Sequence, residues 1–182
     1  MSRISTTKLA YCTPPSEAIL SLAANVKTAI FDVDGVLTDG TVYVGEDAKQ
    51  MLAFHIHDGK GLRMLIEAGI NVAWATARRG DAVLARAHEL GVELVMDGCR
   101  NKAQAVHQVA AQFGHGPSAC SYLGDDIIDI AAIEVVGLGA AVADAHPQVI
   151  SCAAWTTQHS GGRGAARELA ELLLLAQNKL NY

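Results

Sequence analysis

The stretch Val26-Lys27-Thr28-Ala29-Ile30-Phe31-Asp32-Val33-Asp34-Gly35-Val36-Leu37-Thr38-Asp39 decides the fold. Residues 26–31 are a short apolar run that stops abruptly at acidic residues and a glycine, the pattern of a buried first strand. Outward from it the chain alternates. Apolar strands are expected at 71–75, 92–95, 119–123 and 138–142, with helices between them at about 59–68, 80–90, 100–113 and 126–133. Val83, Ala87 and Leu90 in one helix, and Ala105, Val109 and Phe113 in another, recur at helical spacing. Strands alternating with helices predict an α/β fold, a doubly wound parallel sheet covered on both faces. Such sheets bind ligands at the carboxyl ends of their strands.

One segment breaks the alternation. Residues 41–56 read as a β-hairpin around Gly45-Glu46-Asp47, where a helix would otherwise follow the first strand. Residues 1–15 are a polar arm ending in Pro14-Pro15, and Ser16 is placed to cap a short helix to about Ala24. Gly161-Gly162-Arg163-Gly164 opens a tail, residues 161–182, whose helix runs from about Ala165 to Lys179. The 182 residues fit one domain, 51% apolar and 18% charged, as in compact globular proteins. A formal charge of -5 argues against a nucleic-acid binder. No apolar stretch is long enough to cross a bilayer and no signal-peptide pattern opens the chain. Cys12, Cys99, Cys120 and Cys152 are isolated, as expected of reduced thiols in a cytoplasmic protein.

The chemistry concentrates at strand ends. In extended backbone Asp32 and Asp34 point the same way. Two carboxylates that close repel unless a proton or cation intervenes, and a hard cation such as magnesium answers this. Gly35 lets the chain turn sharply away. Gly124-Asp125-Asp126 follows the strand at 119–123 and supplies a second acidic group, with Asp129 one helical turn on. Asp126 and Asp129 also suit local helix capping, which ranks Asp129 below Asp125. Thr76 ends the strand at 71–75 and could donate to a phosphate oxygen. Lys102 opens the helix at 100–113 and could neutralise a phosphate. Taken singly, Thr76 reads first as a turn residue and Lys102 as a solvent-facing lysine.

Asp32-Val33-Asp34-Gly35, Thr76, Lys102 and Gly124-Asp125-Asp126-Ile127-Ile128-Asp129, in this order, resemble the motifs of the haloacid dehalogenase superfamily of phosphatases. Asp32 to Gly40 and the Gly161–Gly164 turn resemble its small capless subfamily of 3-deoxy-D-manno-octulosonate 8-phosphate (KDO 8-phosphate) phosphatases, from about residue 26 to the C-terminus. The resemblance implies a Rossmann-like sheet with the hairpin as a flap and no large cap. Asp32 would be the nucleophile and Asp34 the acid and base. Mg2+ would be held by Asp32, the backbone carbonyl of Asp34 and Asp125, with Asp126 in support. Thr76 and Lys102 would bind the phosphoryl group. The substrate implied is KDO 8-phosphate, in lipopolysaccharide precursor synthesis, and the assembly implied is a homotetramer whose hairpins pack together.

This sequence reads Thr76-Ala77-Arg78-Arg79 where the subfamily has Thr-Gly-Arg. Arg78 is the candidate for gripping a sugar-acid carboxylate, since its planar fork suits one. Arg79 is a further candidate for substrate contact, and Arg163 and Arg167 for reaching a neighbouring site. Val42, Val44, Leu52 and Phe54 suit either a subunit contact or the chain's own core. His55 and His57 read as one face of the second hairpin strand. A nine-carbon sugar acid 9-phosphate is the alternative substrate. A phospho-receiver domain, or a scaffold without activity, is the alternative of another class.

Overall fold

The computed structural model describes residues 15–46 and 50–181. Ser16 caps helix α1 (Glu17–Ala24), its hydroxyl accepting from the Ile19 N–H at 3.3 Å. There follow β1 (Thr28–Phe31), the hairpin strands β2 (Tyr43–Val44) and β3 (Gln50–Met51), α2 (Ile56–Glu67), β4 (Asn71–Ala75), α3 (Asp81–Leu90) and β5 (Leu94–Met96). The second half comprises α4 (Lys102–Gln112), β6 (Cys120–Gly124), α5 (Ile130–Val135), β7 (Leu138–Ala141), α6 (Pro147–Cys152), β8 (Trp155–Thr156) and α7 (Ala165–Ala176).

Six strands form one sheet in the order β5-β4-β1-β6-β7-β8, with every pairing parallel. Phe31 stands opposite Trp74 on one side and Leu123 on the other. The chain builds the β4–β5 half first, then crosses through α4 to the β6–β8 half. The strand order therefore reverses beside β1, which opens a crevice at the carboxyl ends. Asp32, Thr76 and Asp125, each just beyond a strand, share that edge.

β1, β6 and β7 are buried along their whole length, which is why they read as unbroken apolar runs. Trp74, Tyr122 and Phe31 are among the largest fully buried side chains. Each such side chain contributes roughly 1.5–3 kcal/mol by leaving water. α7 packs on α2 and buries Leu169, Leu172 and Leu173. Buried Glu168 is satisfied there by the N–H groups of Gln158 and His159.

The strand expected at 71–75 is β4, and the helix expected at about 80–90 is α3, which starts one residue later at Asp81, while other elements shift further. The strand expected at 92–95 begins at Leu94, and the helix expected at 126–133 is a 3-10 turn, Ile127–Asp129, leading into α5. The hairpin pairs over only two residues per strand. His55 and His57 are not on a hairpin strand: His55 precedes α2 at its N-cap position, without a side-chain capping bond, and His57 lies in its first turn. The alternation Leu52, Phe54, Ile56 mimics a strand, but Leu52 and Phe54 pack on the core while Ile56 is 73% exposed at the helix start. Val42 and Val44 are exposed, so the four apolar hairpin positions divide between core and surface. Cys99, Cys120 and Cys152 are free thiols. The polar arm, apart from Pro15, and Cys12 and Asp47 lie outside the described residues. No helix among the described residues is long and apolar enough to cross a membrane.

Candidate active site

The backbone leaves β1 in a tight knot. The N–H groups of Leu37 and Thr38 both donate to the Val33 carbonyl, at 2.9 and 3.0 Å. Buried Thr38 ties the knot further, its hydroxyl donating to the same carbonyl. Gly35 adopts φ +76°, and a Cβ there would overlap the carboxylate of Asp125. Only glycine supplies both the left-handed turn and the room. A second glycine backs the knot from behind. A side chain at Gly161 would overlap the Gly35 carbonyl, and the Gly162 N–H donates to the Val36 carbonyl at 2.8 Å. Arg163 pairs with Asp39 at 2.9 Å, and Asp58 at the start of α2 accepts from the N–H groups of Gly164 and Arg167. The Gly-rich turn thus clamps the loop after β1 to α2 and α7, a role the sequence pattern did not disclose.

Asp32 is buried at the crevice floor, its Oδ1 taking the Val33 N–H at 2.6 Å and the Lys102 ammonium at 2.8 Å. Lys102 opens α4 and is itself buried. Its Nζ donates to the Ala75 carbonyl at 2.5 Å and stands 3.6 Å from Asp129. A lysine on a helix usually faces solvent; this one spans the ends of three strands. Thr76 is buried beside it, its Oγ1 accepting from the Arg78 N–H at 3.1 Å.

Asp32, Asp125 and Asp129 each offer a ligand atom, and these atoms all lie within 4.8 Å of one another. Asp129 is buried, accepts from the N–H groups of Asp125 and Asp126, and takes the Tyr122 hydroxyl at 2.7 Å. Capping and cluster are therefore one structure: the bonds that fix Asp129 as a cap also hold it among the other carboxylates. Asp126 is exposed, and its Oδ1 accepts from the Ile127 N–H at 2.7 Å. The carboxylate of Asp34 lies apart from the triad, gripped by Arg78 Nε at 2.8 and 2.9 Å. Arg78 also donates to Gln50 of β3 at 2.5 Å, so it holds Asp34 rather than standing free.

One lysine does not balance three carboxylates. Burial, then the charge of Asp129, pushes Asp32 up to about 7, with Lys102 opposing. Burial, then the charges of Asp129, Asp32 and Asp126, pushes Asp125 up to about 8. An all-oxygen triad with excess buried negative charge fits a hard divalent cation.

A parallel sheet with an aspartate after its first strand, a buried lysine and an acidic triad defines the haloacid dehalogenase-like hydrolases, whose family model matches residues 94–169. The chain belongs, within them, to the 3-deoxy-D-manno-octulosonate 8-phosphate phosphatase family. It is 42% identical to that phosphatase of Escherichia coli K12 over 174 residues, 95% of this chain and 93% of the relative. The crystal structure of the Yersinia pestis phosphatase is 42% identical and superimposes with a TM-score of 0.90, covering 92% of this chain and 91% of that one. The Moraxella catarrhalis phosphatase, described in complex with magnesium, phosphate and KDO, is 35% identical with a TM-score of 0.88 over 90% and 94% of the two chains.

Proposed function

We propose that this chain hydrolyses a phosphomonoester through an aspartyl-phosphate on Asp32, with KDO 8-phosphate as substrate and magnesium as cofactor. The supporting observation is the joining of Asp32, Lys102 and the acidic triad at one crevice in a chain so close to KDO 8-phosphate phosphatases. Bound magnesium would draw charge from the phosphoryl oxygens, and Asp32, Asp125 and Asp129 would hold it, with the Asp34 carbonyl the further ligand implied by the resemblance. The carboxylate of Asp32 attacks phosphorus in line as the ester oxygen departs. Asp34 gives that oxygen a proton, then takes one from the water that cleaves the aspartyl-phosphate. Arg78 orients Asp34 for both transfers. Lys102 and Thr76 bind the transferring group, and Asp126 steadies the turn that carries Asp125.

A screen of phosphate release with magnesium or chelator tests this, across sugar phosphates including KDO 8-phosphate and nine-carbon sugar acid 9-phosphates. The expected result is chelator-sensitive release with a strong preference for KDO 8-phosphate. Equal release from unrelated sugar phosphates would defeat the substrate assignment, and preference for a nine-carbon acid would move it there.

The cation site has a readout independent of turnover. Asp32 and Asp125 are raised from an ordinary value of 3.8, so their stability contribution is full below it and is lost as pH rises through about 7 and 8. A cation offsets that loss and binds the ionised forms. Magnesium should therefore raise the melting temperature more at about pH 8.5 than at about pH 5.5. An equal or smaller increment at the higher pH would remove the triad as the site.

We assign residues 1–182 to one catalytic unit, working in the cytoplasm with the hairpin at 41–56 as its flap. Val44, Met51 and Ile56 are each well over half exposed, beside Tyr43 and Val42. Exposed apolar residues along the hairpin and at the start of α2 suit a subunit contact, here within the homotetramer. Sedimentation should give a tetramer for the parent and smaller species for Val44→Glu with Ile56→Glu; a monomeric parent would refute the assembly.

A further inference from the structure

The sequence offers Arg78 for the substrate's carboxylate, yet its Nε is committed to both oxygens of Asp34 and its Nη1 to Gln50. Arg79 is different. It is exposed and, among the described residues, has no hydrogen-bond or ion-pair partner. It is also seated: its guanidinium lies against Gly98, where any side chain would overlap Nε. That glycine, at φ +61°, leaves the arginine a fixed bed on the loop after β5.

Between the hairpin and the start of α3 lies a pocket of about 380 Å³, bordered by Gln50, Leu52, Arg78, Arg79, Asp81 and Val83. Small-molecule sites run from roughly 300 to 1,000 Å³. Arg78 forms one wall and touches Asp34, so the pocket opens beside the group that meets the ester oxygen. A substrate phosphorylated at one end would lay its other end here. Leu52 and Val83 give apolar wall, Gln50 can both donate to and accept from hydroxyls, and Asp81 can accept from them. The negative charge of Asp81 disfavours a second dianionic phosphate, while the unpaired fork of Arg79 suits a planar monoanion.

The geometry points to this pocket as the subsite for the carboxylate-bearing end of the substrate, with Arg79 gripping the carboxylate and Gln50 and Asp81 reading hydroxyls. Arg78 stays with Asp34 as the positioning residue of the acid and base. The assignment rests on the sugar-acid phosphatase reading above and adds which residues recognise the acid.

The test uses the full chain with magnesium and compares KDO 8-phosphate with phenyl phosphate, which has no carboxylate. For Arg79→Ala, kcat/KM on the sugar acid should fall at least about tenfold more than on phenyl phosphate, mainly through KM. Arg79→Lys should recover only part, since an ammonium lacks the planar fork. Free KDO should inhibit phenyl phosphate turnover by the parent and do so about tenfold less well with Arg79→Ala. A parent that prefers KDO 8-phosphate and a variant that keeps both preference and inhibition overturn the pocket assignment alone. A parent with no preference for the sugar acid overturns the substrate reading, and this assignment with it.

Discussion

Asp32→Asn is expected to lower kcat by at least about 10⁴-fold while leaving the protein folded, because an amide oxygen cannot carry the phosphoryl group as a carboxylate does. The geometry argues that the fold survives. Asparagine can keep an acceptor for the Val33 N–H and for Lys102, which meet Asp32 Oδ1 at 2.6 and 2.8 Å. The substitution also removes one negative charge from the triad, at the position of Asp32, whose ionisation burial opposes. The metal-free variant should therefore match or exceed the parent's stability at about pH 8, by up to roughly 2 kcal/mol. Phosphate release and urea unfolding read the two effects separately. A variant within about tenfold of the parent rate would require another nucleophile.

Lys102→Met should damage both properties. Lys102 is the cation buried among Asp32, Asp129 and the Ala75 carbonyl. A methionine fills similar space but leaves buried carboxylates without their partner, a loss of about 3–5 kcal/mol. The loss should be largest without metal and above about pH 8, where Asp32 and Asp125 are ionised, and magnesium should recover part of it. Turnover should fall by about 10³-fold or more, since a charge aimed at the transferring group is gone. Urea midpoints with and without magnesium check the first effect. An unchanged midpoint in chelator would mean that Lys102 does not balance the acidic group.

Much of this arrangement was legible in the sequence, for local reasons. β1 and β4 are apolar runs that end at residues of a different kind, Asp32 and Thr76, so strand and strand end are visible together. α6 and β8, six and two residues long, carry too little periodicity to stand out. Val92 is buried without joining a ladder, which made β5 read two residues early. The order Asp, Thr, Lys, Asp placed the main chemistry at one sheet edge because parallel topology gathers strand ends there. Asp129 was visible as a cap, and its spacing from Asp125, four residues along one helical turn, was the signal for its second role.

Other features depend on approaches that no local pattern encodes. Arg78 meets Asp34 across 44 positions, Arg163 meets Asp39 across 124, and Gly161 meets Gly35 through bare backbone. The glycines at 161 and 162 signalled a break before a helix and a likeness to the subfamily, without saying what they touch. Why both are glycine follows from the knot they press against. His55 and His57 illustrate the opposite error, a local alternation that tertiary packing overrode by starting α2 at Ile56.

The most direct test of the account is to quench the enzyme with acid during turnover of KDO 8-phosphate and map the retained phosphate by peptide mass. Phosphate on the peptide carrying Asp32, lost on alkaline treatment as an acyl phosphate is, is the predicted result. Steady turnover with no phosphate on the protein, or phosphate on a peptide that lacks Asp32, would contradict it.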